Sequence, residues 1–403
     1  MNWIEKMIAE QCPNGVKKVK LGEVCDFRNG FAFKSTTFKD SGIPVIRITN
    51  IVNHSVDLTD AKYIEPSDYK ETLEPYTISL GNILVAMSGA TTGKIGIYSL
   101  KEKAYQNQRV GMFAPNLKKI SNKFLYHYLY GQETNMYMLA GGGAQPNLSS
   151  IKVMESLEIP LPSLSIQEEI VSVLDKFSEL IEKTDAEIAL RQKQYEYYRE
   201  KLLTFEKGEV EWKKLGDLFE FKNGLNKEKQ AFGHGTPIVN YTDVYKKRGL
   251  KREDVKGLVE LTKTEINRFN CQKGDVFFTR TSETKEEVGF PSVLLDDIEF
   301  CTFSGFVLRA RPLTDLLQPH YCKYCFFTYH FRQQVIKSAT LTTRALTNGK
   351  SLSKISIPIP SLSRQQQIVA TLDKFETLIS KLKEERELRQ KQYEYYREKL
   401  LTF

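Results

Sequence analysis

Three stretches of this sequence set chemistry-bearing residues at spacings close to known reactive or binding motifs. SGATTGK at 88–94 resembles a phosphate-cradling loop, in which backbone N–H groups wrap a polyphosphate and a hydroxyl after the lysine holds magnesium. Only three residues separate Gly89 from Gly93, and Ile95 stands where the hydroxyl is required. TNGKS at 347–351 ends as such a loop does, but Arg344 replaces its first glycine. His320, Cys322, Cys325 and His330 offer zinc-ligand types with a Cys-x-x-Cys core. The corresponding stretch of the first half, SNKFLYHYLY, has no cysteine, and no second Cys pair follows. Structural cysteines inside an amphipathic helix are therefore the competing reading, and no metal is expected. His54, His127 and His234 have no partners forming a catalytic set. No dinucleotide fingerprint, no Asn/Asp-Pro-Pro-aromatic tetrapeptide of amino-group DNA methyltransferases and no nuclease signature is present, so no catalytic residues are assigned.

Binding chemistry is better represented. Readers of a nucleic-acid duplex present Arg and Lys to guanine and phosphate, and Asn and Gln to adenine, from polar loops. The first half offers three such loops: Ser88, Thr91, Thr92 and Lys94 in SGATTGK; Gln106, Asn107, Gln108 and Arg109 in QNQR; Gln145 and Asn147 in GGGAQPN at 141–147. The second half offers Lys246, Lys247, Arg248, Lys251 and Arg252 in KKRGLKR, Arg280, Ser282 and Lys285 in RTSETK, and Arg344 in TLTTR. Solvated loops without a ligand are the plain alternative for each.

These loops need elements to hold them. Short β-branched and aromatic runs divided by Gly, Pro and Asn predict strands near 44–49, 82–87, 94–98, 237–240, 275–279 and 305–309. Aromatic helical stretches close each half at 122–139 and 319–338. The fold class is α+β: a twisted, largely antiparallel sheet with helices at one side, twice.

The duplication is explicit. LRQKQYEYYREKLLTF occurs at 190–205 and again, identical, at 388–403, an offset of 198. The match runs backwards through IPLPSLSIQEEIVSVLDKF and IPIPSLSRQQQIVATLDKF. KLGEVCDFRNG at 20–30 is answered by KLGDLFEFKNG at 214–224, and GNILVAMSGA from Gly81 by GDVFFTRTSE from Gly274. The implied domains are 1–158 and 206–356, each followed by a helix, 159–205 and 357–403. A shared frame with a diverged centre fits one scaffold carrying two different surfaces.

Each helical repeat opens on Pro-Ser-Leu-Ser. Ser165 with Glu168, and Ser363 with Gln366, fit a capping box. Apolar positions then follow a 4,3 spacing: Ile170, Phe177, Thr184, Arg191, Tyr198 and Phe205, alternating with Leu174, Ile181, Ile188, Tyr195 and Leu202. The second copy repeats it from Ile368 to Phe403. That is a coiled-coil seam, and about 39 residues at ~1.5 Å rise make a rod of roughly 60 Å. Two copies of one stripe are expected to pack on each other, antiparallel and pseudo-two-fold. An ordinary dimerising coiled coil is the alternative. Tyr195, Tyr197, Tyr198, Tyr393, Tyr395 and Tyr396 cover more than the seam, and positions such as Tyr197 and Tyr395 lie off it, where a further protein could dock.

The chain is 41% hydrophobic and 27% charged with a net charge of +8. Residues 1–158 carry 18 basic and 15 acidic side chains, and 206–356 carry 25 and 19. The helical repeats carry 6 against 9 and 9 against 7. The basic excess thus lies mostly in the globular halves, as suits a polyanion partner, or simply a mildly basic protein. No run approaches the ~20 apolar residues of a membrane helix, and MNWIEKMIAEQCPNG lacks a signal-peptide core. Six cysteines do not make a disulfide framework, which suggests reduced thiols in a cytoplasmic protein.

Together the LGE and LGD openings at 21–23 and 215–217, the I-P-x-P-S-L-S-x-Q passages from Ile159 and Ile357, and the helices ending RQKQYEYYREKLLTF resemble the specificity subunit of type I restriction-modification enzymes, over essentially the whole chain. The resemblance implies two target-recognition domains, each reading one half of a split, asymmetric site in double-stranded DNA, with the helices setting the spacer. It implies partners: two modification subunits that bind S-adenosylmethionine, and restriction subunits that use ATP and Mg. This chain would bind no cofactor and catalyse nothing. A specificity subunit of a methylation-only system is one alternative; a coiled-coil protein–protein adaptor is another, from a different class.

Overall fold

The computed structural model describes residues 3–141, 146–206 and 208–403. They fall into two compact units, one of residues 1–185 with 384–403, the other of 186–383. Each unit joins a globular region to the beginning of one long helix and the end of the other.

In the first unit a six-stranded sheet runs in the order Cys25–Asn29, Val110–Pro115, Ile83–Ala86, Ile95–Ile97, Ser55–Val56, Ile51–Val52. All its pairings are antiparallel except that of Ser55–Val56 with Ile95–Ile97. A four-stranded sheet has the order Lys62–Ile64, Ile43–Ile46, Ala104–Gln106, Thr77–Ile78. The second unit repeats the larger sheet as Phe219–Asn223, Val307–Pro312, Val276–Thr279, Pro291–Leu294, Gly249–Leu250, again with one parallel pairing, here the last. The α+β, mainly antiparallel expectation holds. Its strands are wholly buried where the sequence is continuously apolar, as in Ile83–Ala86 and Val276–Thr279.

In each region the entering strand pairs with the leaving one, Lys18–Lys20 with Glu158–Pro160 and Glu211–Lys214 with Ser356–Ile359. The chain therefore passes directly from this clasp into a long helix, Leu164–Leu203 or Leu362–Leu401. The starts lie earlier than the capping-box spacing predicts. Pro162 and Pro360 hold the residues before them extended, so Ser163 and Ser361, not Ser165 and Ser363, precede the first turn. Ser361 Oγ accepts from the Arg364 N–H at 3.3 Å, whereas Ser163 Oγ donates to Gln11 Oε1 at 2.6 Å.

The aromatic stretches at 122–139 and 319–338 are each two short helices rather than one. Asn122–Tyr130 ends at Gly131 before Glu133–Leu139. Pro319–Cys325 ends at Phe326, and Thr328, whose side chain accepts from the Phe331 N–H, caps Tyr329–Ser338. The break lets both short helices lay aromatic faces on the sheet. Phe124, Leu125 and Leu129 join Val85, Phe113, Ile166, Ile170 and Leu174 in one core, and Tyr321, Cys325, Phe326 and Phe331 join Phe278, Leu308, Ile368 and Leu372 in the other.

Within each unit the two helix segments run antiparallel. In the first, Phe177 stacks on Tyr396 at 5.1 Å, and Asp185 pairs with Arg386 at 3.1 Å. In the second, Tyr198 stacks on Phe375 at 5.4 Å and Tyr195 donates to Glu376 at 3.2 Å. The Phe–Tyr contact is the same pair of repeat positions with the copies exchanged. Among the described residues, no helix is long and apolar enough to cross a membrane.

Candidate nucleic-acid interface

All three candidate loops of the first unit meet at one end of the large sheet. Val110 pairs with Ala86, so the turn before Val110 faces the residues after Ala86. Met87 N–H donates to Arg109 O at 2.9 Å, and Leu148 N–H to Met87 O at 2.7 Å. Ser88 bridges to Asn147. The 88–94 loop is drawn tight: Gly93 N–H donates to Ala86 O, and Thr92 Oγ1 to Gly89 O at 2.7 Å and Pro146 O at 3.2 Å. Thr92 is buried by those bonds, Ser88 and Thr91 are half-buried, and Lys94 and Asn147 are exposed. Gln145 lies outside the described residues.

The QNQR run is a tight turn. Val110 N–H closes it on Asn107 O at 2.8 Å, and Asn107 Oδ1 accepts from the Arg109 N–H at 3.3 Å. Gln108 and Arg109 are exposed. Gln106 is not a surface reader here. It is fully buried, and its amide donates to Arg28 O at 2.8 Å and Val110 O at 2.7 Å. Gly30 passes directly over the turn, since a Cβ there would lie 2.1 Å from Asn107 O.

The second unit builds the same cluster from different residues. Val307 N–H closes a turn on Ser304 O at 3.0 Å, and Ser304 Oγ accepts from the Phe306 N–H at 3.3 Å. Gly224 covers it, with a would-be Cβ 2.1 Å from Ser304 O. Arg280 N–H donates to Phe306 O, and Thr347 N–H to Arg280 O. By register, Arg109 corresponds to Phe306 and Met87 to Arg280. The two arginines therefore stand on opposite sides of matching turns. Strand Thr281–Ser282 pairs with Ala345–Leu346, which also pairs with Thr340–Leu341. That joins the RTSETK and TLTTR loops, and exposed Arg344 pairs with Glu283 at 3.0 Å. Ser282 is buried against Glu287, while Arg280 and Lys285 are half-buried.

The KKRGLKR run divides. Lys246 and Lys247 close the helix Tyr241–Lys246, whose Tyr245 hydroxyl donates to Glu287 of the loop region at 2.9 Å. Lys247 pairs with Asp254 at 2.8 Å. Arg248 turns inward, lying 4.7 Å over the Phe327 ring and donating to Tyr195 Oη at 2.7 Å, so it braces the long helix rather than facing a ligand. Lys251 and Arg252 are exposed beside the sheet-edge strand Gly249–Leu250, away from the turn cluster.

Three other arginines of the second unit are internal. Arg309 is 2% exposed and donates to Asn270 O at 2.7 Å. Arg311 grips buried Asp275 with two bonds of 2.7 and 2.8 Å. Arg332 donates to three backbone carbonyls, and burial lowers its pKa to about 10. Their charges do not face a partner.

On the helices, burial removes Tyr195 and Tyr393 from the docking set. Tyr393 is 3% exposed and donates to His127 Nδ1 at 2.9 Å, while His127 Nε2–H donates to Asp175 at 3.0 Å. The carboxylate partner fixes that tautomer. In the second unit Tyr324 donates to Asp373, Lys323 bridges Asp373 and Glu376, and Tyr195 completes the set. Burial pushes the Tyr195 phenol up to about 12. Tyr198 and Tyr396 lie partly against phenylalanine, and Tyr197 and Tyr395 are 59% and 60% exposed.

Three residues of the turn cluster and the helix starts lie beyond the sequence-based set. Phe306 was readable only by aligning the Val110 and Val307 strand starts. Gln167 and Gln365, the last residues of the two I-P-x-P-S-L-S-x-Q passages, are fully buried. Gln167 accepts from Ser121 N–H and donates to Lys119 O and Pro162 O. Gln365 accepts from Gln318 N–H and donates to Leu316 O and Pro360 O. Each thereby fastens a helix start to its globular region. Cys322 and Cys325 are buried in the second core, and among the described residues no group of three or more His, Cys, Asp or Glu is placed to hold a metal ion.

A family model described as the type I restriction modification DNA specificity domain matches the sequence twice, at residues 13–190 and 207–390. The EcoR124I/EcoR124II type I restriction enzyme specificity subunit of Escherichia coli is 28% identical over 350 residues, 83% of each chain. A putative type I restriction enzyme specificity subunit of Haemophilus influenzae is 29% identical over 388 residues, covering 89% of this chain and 94% of its own. The crystal structure of a type I restriction-modification S subunit from M. genitalium aligns over 96% of both chains with a TM-score of 0.56 at 16% identity, a likeness of fold.

Proposed function

Because the chain belongs to the type I restriction-modification specificity family, whose members are non-catalytic subunits for DNA target recognition, we propose that each globular region reads one half of a split, asymmetric duplex site. One observation carries this reading. The same turn cluster recurs at the same end of the large sheet in both units, with the scaffold kept and the presented side chains changed: Arg109 beside Met87 in one, Phe306 beside Arg280 in the other. A scaffold that keeps its geometry and varies its tips suits two different base sequences.

In this reading residues 1–158 and 206–356 are the recognition domains, and the helices that follow set the spacer between half-sites. Exposed Lys94, Gln108, Arg109 and Asn147 face the first half-site; Arg280, Lys285, Phe306 and Arg344 face the second. Tyr197 and Tyr395, presented identically by the repeated helix ends, dock two modification subunits. S-adenosylmethionine, ATP and Mg serve those subunits and the restriction subunits in the cytoplasm, and this chain supplies recognition and assembly.

The test is to co-express the chain with a modification subunit and map adenine methylation across the host genome. A split motif with a fixed spacer is expected. A stable complex that methylates no defined site would overturn DNA reading and leave a protein–protein adaptor.

A further inference from the structure

Phe306 is 66% exposed, more than any other phenylalanine of its globular region, of which only Phe300 at 58% and Phe232 at 38% are also exposed. Its turn is braced from every side. Ser304 N–H donates to Val239 O at 3.0 Å, Gly305 N–H to Leu225 O at 2.6 Å, and the Arg280 guanidinium to Gly305 O at 2.9 Å. Gly305 itself sits against Asn226, with no room for a side chain. The ring is thus held out on a preorganised backbone, which spares the ordering cost that a mobile loop meets on binding. Nothing about folding requires an apolar group there, because the matching turn of the first unit presents Arg109.

Resting on the DNA-reading assignment above, we propose that Phe306 is a specificity-determining side chain of the second recognition domain, reading a base pair by apolar contact with the 5-methyl group of thymine. The major groove offers an aromatic side chain this one apolar feature without deformation. Wedging the ring between base pairs would instead cost unstacking energy at the step. The neighbouring guanidinium adds polarity on one side only. Arg280 has one N–H engaged by Gly305 O and four more donors, so the pair presents an apolar contact beside hydrogen-bond donors.

The experiment uses the complex of the full chain with its modification subunit and the duplex target found by methylome mapping. Phe306→Ala is expected to relax one thymine-containing position of one half-site and leave the other half-site unchanged. Phe306→Leu, still apolar, retains the preference. Replacing that thymine by deoxyuracil removes only the methyl. It is expected to weaken wild-type binding about fourfold, the equivalent of one buried methyl group, and to leave Phe306→Ala binding unaffected. An unchanged motif in Phe306→Ala overturns the proposal while the split target of the wild type still stands. A relaxed motif with no deoxyuracil effect also overturns it, in favour of stacking. If the wild type itself methylates no split site, the DNA-reading assignment fails first and this proposal fails with it.

Discussion

Replacing Gln365 tests how the recognition domain is fastened to its helix. Its amide makes three bonds of 2.7 to 2.9 Å, to Leu316 O, Pro360 O and Gln318 N–H. Gln365→Leu fills nearly the same volume and satisfies none of them. The Pro360 carbonyl is enclosed, so leaving it bare costs about 1–3 kcal/mol, and the two outer groups, which water reaches in part, cost about 1 kcal/mol each. The total is about 3–5 kcal/mol. Gln365→Ala removes the same bonds but leaves room for water to take them over, so it is expected to cost less than leucine. Trp3 and Trp212 are the only tryptophans. With Trp3→Phe in the background, urea titration followed by Trp212 fluorescence reports the second unit alone. At a slope of about 3 kcal/mol per molar, Gln365→Leu lowers the midpoint by about 1–1.7 M. Gln167→Leu leaves that transition in place and lowers the one followed by Trp3 alone. If alanine proves more costly than leucine, the residue acts by filling space and the hydrogen-bond argument is refuted.

Arg109→Ala is expected to relax only one half-site and Arg280→Ala only the other, each by about 1–3 kcal/mol of discrimination; uniform loss across sequences in a methylome or binding profile would assign them to phosphates. Tyr197→Ala with Tyr395→Ala should weaken assembly with modification subunits, read by analytical ultracentrifugation, while each unit's stability in urea titration changes by less than about 0.5 kcal/mol, since both rings are exposed. Burial raises the pKa of Asp175, but hydrogen bonds from His127 and Lys123 together outweigh it and hold the carboxyl below its usual range. A depressed folded-state pKa adds stability above the unfolded value of about 4, and that stability is lost as pH falls through the folded one. The first unit should therefore weaken below about pH 4, and Asp175→Asn should flatten that limb in acid titrations. Burial pushes Cys25 and Cys325 up to about 12 and Cys322 well above its ordinary value. Iodoacetamide should label Cys12, the half-buried thiol, ahead of the other five, as peptide mass mapping would show.

Patterns of hydrophobicity and repetition were legible because they act over many residues. The coiled-coil stripe, the strand runs and the 198-residue offset all correspond to what the backbone does. The matched KLG segments end on Gly30 and Gly224, whose close approach to the turn beneath, where a Cβ would strike it, only the structure shows. Single side chains were harder. Gln106 sits in a polar run yet points inward, because the strand Ala104–Gln106 is buried throughout. Net charge counted Arg309, Arg311 and Arg332 with the surface, though their partners are internal carbonyls and carboxylates distant in sequence. Helix starts shifted by two residues because proline sterics outranked the capping-box spacing. The correspondence of Arg109 with Phe306 was hidden because chemistry diverged where backbone geometry did not.

The helix ends have a consequence for how such a chain can change. Each unit is completed by the end of the helix belonging to the other repeat, and those ends are identical from 190 to 205 and from 388 to 403. The joint that receives them is also shared, with Phe177 and Phe375 meeting Tyr396 and Tyr198. Lineages that trade one globular region for another therefore inherit a fitting already in stock. In the proposed DNA-reading role, exchange of a whole module would leave the Phe–Tyr joint between the helices in place.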